Sequence, residues 1–106
     1  MKRRAIQVAE ELAHHAGVYL QRESNRTSLI TVTRADVSPD LKNATIYVSV
    51  LPHEEEERAI AFVKRQRGLF REYLKSHSKL KFLPFIDFVI DEGEKNRQRV
   101  DDLTRT

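Results

Sequence analysis

The sequence has no cysteine and no tryptophan, and it contains only three glycines and three prolines. Without cysteine the chain can form neither a disulfide nor a thiolate site for zinc, and a cysteine nucleophile is excluded. No apolar run approaches the roughly 18 residues of a membrane-spanning helix, and the N-terminus is amphipathic rather than signal-like. We therefore expect one small domain over residues 1–106, in a reducing compartment such as the cytoplasm and with no membrane partner.

The sequence also lacks the motifs of catalytic and metal-binding sites. The sequence has no Ser/His/Asp arrangement, no glycine-rich phosphate loop and no nucleophile motif. Of its four histidines, His14 and His15 point to different sides of a helix, and His53 and His77 lie in separate segments, so none forms a ligand pair. We expect no catalysis, no metal, no cofactor and no small-molecule substrate.

Basic residues are concentrated in one part of the chain, although the formal net charge is only +3. Residues 58–81 contain eight lysines and arginines against the single acidic residue Glu72. Ordinary solvated helices seldom show such an imbalance, so a polyanion is the first partner to consider. The four glutamates from Glu54 to Glu57 are best explained as favourable charges at a helix N-terminus.

The spacing of apolar residues predicts an α+β chain. A first helix is expected from Arg3 to about Arg22, followed by a hairpin of two strands, Leu29–Val37 and Ala44–Leu51. The first helix would bury one stripe, formed by Ile6, Ala9, Leu12, Ala13, Ala16 and Leu20.

A second helix is expected to begin at the four glutamates and to break near Gly68. A third strand would run from Leu80 to Ile90, with Pro84 restricting it to a sheet edge or a bulge. Residues 94–106 would form a short terminal helix or a frayed tail. The predicted order is therefore α-β-β-α-(kink)-α-β, a two-layer sandwich with a three-stranded sheet and helices on one face.

On the second helix, the apolar side chains and a row of cations fall on opposite sides. Lys64, Arg67, Arg71 and Lys75 recur at about one-turn intervals, a spacing suited to successive phosphates, and Gly68 lies within the row. Five aromatic residues lie at core periodicities and are expected to pack inside: Phe62, Phe70, Tyr73, Phe82 and Phe88. The alternatives for the cations are a solvated face or a surface that docks on a partner protein.

Two sequence blocks resemble the ribosome-binding factor A family. From Val37 to Ser49 the chain reads VSPDLKNATIYVS, similar to the family's Val-Ser-x-Asp-Leu-x-x-Ala-x-x-Tyr-Val-Ser between its first two strands. A second block joins Gly68-Leu69-Phe70-Arg71 to Phe88-Val89-Ile90-Asp91. The family usually has Ala-x-Gly at the kink, where this chain has Gln66-Arg67-Gly68. Like the family, the chain lacks the Gly-x-x-Gly loop of ordinary KH domains.

The resemblance implies a type II KH-like fold and a non-catalytic factor that binds the free 30S ribosomal subunit and 16S rRNA. It also implies a role in late 16S rRNA processing and in growth in the cold, and we expect the factor to act as a monomer. The competing interpretation is a protein-interaction or regulatory domain. The residues predicted to contact RNA are Lys64, Arg65, Arg67, Gly68, Arg71, Lys75, Lys79, Lys81, Arg3 and Arg4.

Overall fold

The predicted α+β class and element order are confirmed. The structure is a computed structural model that describes residues 2–23 and 28–93. Within them, the helices are α1 (Lys2–Glu23), α2 (Glu56–Arg65) and α3 (Arg67–His77), with a 3-10 turn at His53–Glu55 before α2. The strands are β1 (Leu29–Val37), β2 (Asn43–Leu51) and β3 (Phe85–Ile90). The predicted terminal helix or tail at 94–106 lies outside the described residues.

The three strands form one sheet in the order β1-β2-β3. Strands β1 and β2 pair antiparallel as the predicted hairpin, and β3 pairs parallel to β2. A parallel neighbour cannot be reached through a tight turn, so the chain must cross over, and α2 and α3 supply that crossover. No helix in the described part of the chain is long and apolar enough to cross a membrane.

The core lies between the helices and one face of the sheet. Clean alternation in β2 buries Ala44, Ile46, Val48 and Val50. Opposite them, the helices contribute fully or almost fully buried side chains. The main helical contributors are Leu12, Ala16, Leu20, Val63, Phe70 and Leu74. Each such large side chain contributes roughly 1.5–3 kcal/mol by leaving water, which explains why the two amphipathic faces stay together.

Strand β1 keeps its apolar residues on the core side because it contains a bulge. The register changes between Val32 and Arg34, so Thr33 is the extra residue. Thr33 Oγ1 donates a hydrogen bond of 2.5 Å to Oδ2 of the buried Asp91, whose backbone N–H in turn donates to the Val48 carbonyl. The end of β3 therefore fixes the bulge in β1.

Three packing predictions are wrong. The third strand begins at Phe85 rather than Leu80, because Pro84 has no N–H to donate and the preceding residues form a loop. Phe82, expected in the core, lies in that loop and is 85% exposed. Ile6 is also exposed on α1, where Ala5 and Tyr19 are buried instead.

The break between α2 and α3 lies at Gln66, two residues before the predicted position. Gln66 ends α2 and precedes α3, and its side-chain Oε1 accepts a 2.8 Å hydrogen bond from the Tyr19 hydroxyl. Gly68 is an ordinary residue of the first turn of α3, with a negative φ. The break is therefore held by a contact with α1, and glycine is not needed for its backbone geometry.

Candidate nucleic-acid interface

The helix break brings four predicted residues to one surface beside β3. This helix-break surface consists of Lys64, Arg67, Gly68 and Arg71. Arg65, the last residue of α2, is exposed next to it in the chain. A shallow depression of about 210 Å³ lies within it, lined by Arg67, Gly68, Arg71 and two residues of β3. A Cβ added at Gly68 would have no heavy atom within 4 Å, so the glycine leaves the helix backbone open to a ligand.

An acidic residue also lies in this surface, and the sequence reasoning gave it no role there. Asp87 Oδ1 is 3.1 Å from Arg67 Nη1 and 3.6 Å from Lys64 Nζ. Alternation along β3 could have indicated it, because Ile86 and Phe88 point into the core and Asp87 must therefore point away from it. Lys64 and Arg67 are thus partly neutralised by an internal carboxylate.

Arg71 has a structural role as well. Its guanidinium donates to the carbonyls of Pro84 and Leu83, at 2.8 and 3.2 Å. These contacts fasten the loop before β3 to α3. Replacing Arg71 would therefore remove contacts that hold this loop, and replacing Arg67 would remove its ion pair with Asp87.

Lys75 continues the row along α3, one turn after Arg71, whereas the last two predicted cations do not. Lys75 pairs with Glu72 at 2.8 Å, and α3 ends at His77, so Lys79 and Lys81 lie in the following loop. There they border a second depression together with Arg4 of α1. Arg3 is exposed on α1. Arg4, Lys79 and Lys81 thus lie on a second basic surface, separate from the helix-break surface.

The turn between β1 and β2, within the first sequence block, is tightly bonded. Asp40 Oδ1 accepts hydrogen bonds from Ser38 Oγ (2.6 Å) and from the Lys42 backbone N–H (3.0 Å). The Ser38 hydroxyl, followed by that N–H, lowers the pKa of Asp40 below its ordinary value of 3.8. Leu41 adopts a φ of 63°, a left-handed conformation that such bonds must hold in place.

Metal chemistry has no candidate site in the described ranges, since no group of three or more His, Asp or Glu side chains there could hold an ion. His15 contacts Glu11 within α1, and His77 stacks on Tyr73. These histidines have local structural contacts.

The α-β-β-α-α-β order, with helices on one face of the sheet and a basic break between the last two helices, defines a KH-like domain of the type II arrangement. Sequence comparison gives the family: the profile of Ribosome-binding factor A matches residues 4–104. The chain therefore belongs to the Ribosome-binding factor A family.

Individual relatives agree with this assignment. The chain is 30% identical over 105 residues to Ribosome-binding factor A of Thermomicrobium roseum, covering 96% of this chain and 81% of that protein. The crystal structure of ribosome-binding factor A from Thermus thermophilus is similar with a TM-score of 0.72, at 21% identity, over 81% of this chain and 94% of that one.

A further similar structure is a homology model of the Thermus thermophilus factor, fitted into the cryo-electron microscopy map of a 30S–factor complex. Its TM-score is 0.64 at 23% identity, and the match covers 82% of this chain and 90% of that one. At these identities the two structural matches establish the shared fold.

Proposed function

We propose that this protein is a non-catalytic assembly factor that binds the free 30S ribosomal subunit through 16S rRNA and assists late 16S rRNA maturation in the cytoplasm. It would act as a monomeric single domain. Family membership supports the proposal, as does the similarity to the Thermus thermophilus factor fitted into the map of a 30S complex.

The observation on which the proposal rests is the helix-break surface. Arg67 and Arg71 line the same depression as the exposed Gly68, so a sugar-phosphate backbone can approach the helix where no Cβ intervenes. Arginine and lysine contacts to phosphates position a protein on RNA without reading bases. Such binding would recognise the shape of an rRNA segment and hold it during folding, after which the factor leaves.

The test is co-sedimentation of the protein with purified 30S subunits, 50S subunits and 70S ribosomes. We expect binding to free 30S and none to 70S. The variants compared are Lys64→Gln with Arg65→Gln, which removes two exposed cations next to the helix break, and the single change Arg22→Gln at the far end of α1. The double variant should bind at least about tenfold more weakly, since each phosphate contact contributes to an affinity dominated by charge. Equal binding by all three proteins would contradict the site.

The maturation role has its own readout. In cells lacking the factor, 16S rRNA precursors extended at the 5′ end should accumulate, most strongly at low temperature. The wild-type gene should restore processing, and the Lys64→Gln, Arg65→Gln variant should not. Complementation by this variant at the level of the Arg22→Gln control would contradict a role for the helix-break surface in processing.

Docking on a partner protein remains the competing function, because the exposed apolar side chain of Phe85 also lines the depression in this surface. Salt dependence distinguishes the two. Contacts to about four phosphates give a slope of log K against log salt of about −3 to −4, whereas an apolar protein interface gives a shallow slope.

A further inference from the structure

A second depression, separate from the helix-break surface, lies where three segments meet. It encloses about 730 Å³ between the start of α1, the β1–β2 turn and the loop that joins α3 to β3. We call it the loop groove. Its apolar floor and polar rim are formed by Arg4, Gln7, Val8, Glu11, Asp40, Leu41, Lys42, Lys79, Leu80, Lys81, Phe82 and Leu83.

We propose that the loop groove binds an unpaired stretch of RNA, with one base stacked on Phe82 and the neighbouring phosphates on the surrounding cations. The inference rests on the proposed function in that the partner is RNA. It adds a second contact site and a ligand class, single-stranded nucleotides, that the helix-break surface does not specify.

Phe82 is the first observation. Its side chain is 85% exposed at the groove although it is a large apolar ring in a chain with 8% aromatic residues. The loop that carries it is fastened at both ends. Ser78 Oγ donates to the Leu74 carbonyl at the start, and Arg71 holds the Leu83 and Pro84 carbonyls at the end. An exposed ring on a fixed loop is a preorganised stacking platform.

Charge is the second observation. Arg4, Lys42, Lys79 and Lys81 border the groove, against two carboxylates. Both carboxylates are already bonded: Glu11 contacts His15 at 3.0 Å, and Asp40 closes its own turn. Within the described residues, Arg4, Lys79 and Lys81 form no ion pair. The excess of cations around an exposed ring complements a polyanion whose bases have free faces.

The wall opposite Phe82 is also fixed. The Lys42 carbonyl accepts a 2.8 Å hydrogen bond from Phe85 N–H, so the β1–β2 turn is attached to the start of β3. Duplex RNA presents no free base face to a ring in a groove, whereas an unpaired base does, so the aromatic ring favours a single strand. An acidic peptide would use the cations and leave Phe82 without a stacking partner.

The experiment uses the absence of tryptophan from the chain. Phe82→Trp introduces a single indole at the groove, and Ile6→Trp places one at a similarly exposed position on another side of α1. Each protein is titrated with a short unstructured RNA of mixed sequence and with inorganic polyphosphate. We expect RNA to quench the fluorescence of Phe82→Trp saturably, and polyphosphate to leave it nearly unchanged. Ile6→Trp should respond to neither.

A second variant measures the stacking contribution to affinity. Phe82→Leu keeps an apolar side chain on the exposed loop and removes the aromatic face, so its folding should be unaffected. We expect its affinity for the RNA to fall about tenfold, within the range found for base–aromatic stacks. Ile6→Leu, a change at an exposed apolar side chain of α1 outside the groove, should leave the affinity unchanged.

The outcomes separate this inference from the proposed function. Absence of quenching, or equal affinity of Phe82→Leu and the wild type, overturns the inference even if the protein binds 30S subunits. Loss of subunit binding by Phe82→Leu without any RNA quenching also overturns it, because the ring would then contact a ribosomal protein. Quenching by RNA in a protein that fails to bind 30S supports the inference and overturns the proposed function.

Discussion

Asp87→Asn should strengthen RNA binding, although it changes a residue that forms two ion pairs. The carboxylate lies 3.1 Å from Arg67 and 3.6 Å from Lys64, where it competes with any phosphate for the same two cations. Asparagine keeps the shape and can still accept the 2.9 Å hydrogen bond from the Phe88 N–H. The substitution therefore removes the negative charge and little else.

The size of the effect follows from the distances. A phosphate on the outer side of the two cations would lie about 6 Å from the Asp87 carboxylate, where the repulsion is about 0.7 kcal/mol in water and about 1.4 kcal/mol at an effective dielectric constant of about 40, which suits two largely solvated charges. Removing it should raise the affinity about threefold to tenfold. Stability should fall by less than about 1 kcal/mol, because the Asp87 side chain is 36% exposed and its ion pairs are solvated.

Equilibrium binding to 30S subunits at several salt concentrations, together with urea unfolding, measures both effects. Glu10→Gln is the matched control, since it makes the same change of net charge at an exposed position of α1. Weaker binding by Asp87→Asn would refute the reasoning, because the ion pairs would then be positioning the cations rather than competing for them. Equal gains in affinity for Asp87→Asn and Glu10→Gln would show that the effect comes from the overall charge of the protein.

Three further substitutions test the break and the turn. The Cβ added by Gly68→Ala meets no atom within 4 Å, so thermal unfolding should show a gain in stability of up to about 1 kcal/mol. The affinity for 30S subunits should fall, because the Cβ lies where RNA would approach. Unchanged affinity would mean that RNA does not approach this backbone. Tyr19→Phe removes the hydroxyl that donates to Gln66 and should cost about 1 kcal/mol in urea unfolding, and no loss would show that the bond does not hold the break. Asp40→Ala should destabilise the fold above pH 3.8, and progressively less as the pH falls through the lowered pKa of Asp40. Chemical unfolding above and below this pKa measures the loss of stability. The same loss at both pH values would contradict a role for the carboxylate charge.

Local periodicity was enough to predict the element order and most of the core. Alternation in β2 gives that strand one apolar face. The helical spacing of Leu12, Ala16, Phe70 and Leu74 does the same for α1 and α3. Each apolar face must be buried, so the faces pack against one another to form the core. The bulge at Thr33 could not be predicted from periodicity. It inserts one extra residue, and the apolar residues before and after it still point to the same face of the sheet.

The candidate site was predictable in composition but not in arrangement. Periodicity places Lys64 and Arg67 on the outer side of a helix, yet Asp87 reaches them only because β3 lies beside the break. Phe82 was assigned to the core because it alternates with its neighbours. Pro84 ends that alternation by delaying the strand, and the ring is left exposed. The contact of Asp87 joins distant segments that no local pattern relates, whereas the error at Phe82 came from extending the strand through Pro84.

The salt dependence of binding to free 30S subunits tests the central claim most directly. For the wild-type protein, log K against log salt should fall with a slope of about −3 to −4, and Lys64→Gln with Arg65→Gln should make the slope shallower by about two. A flat line for the wild type, or the same steep line for both proteins, would contradict a phosphate-binding surface at the helix break.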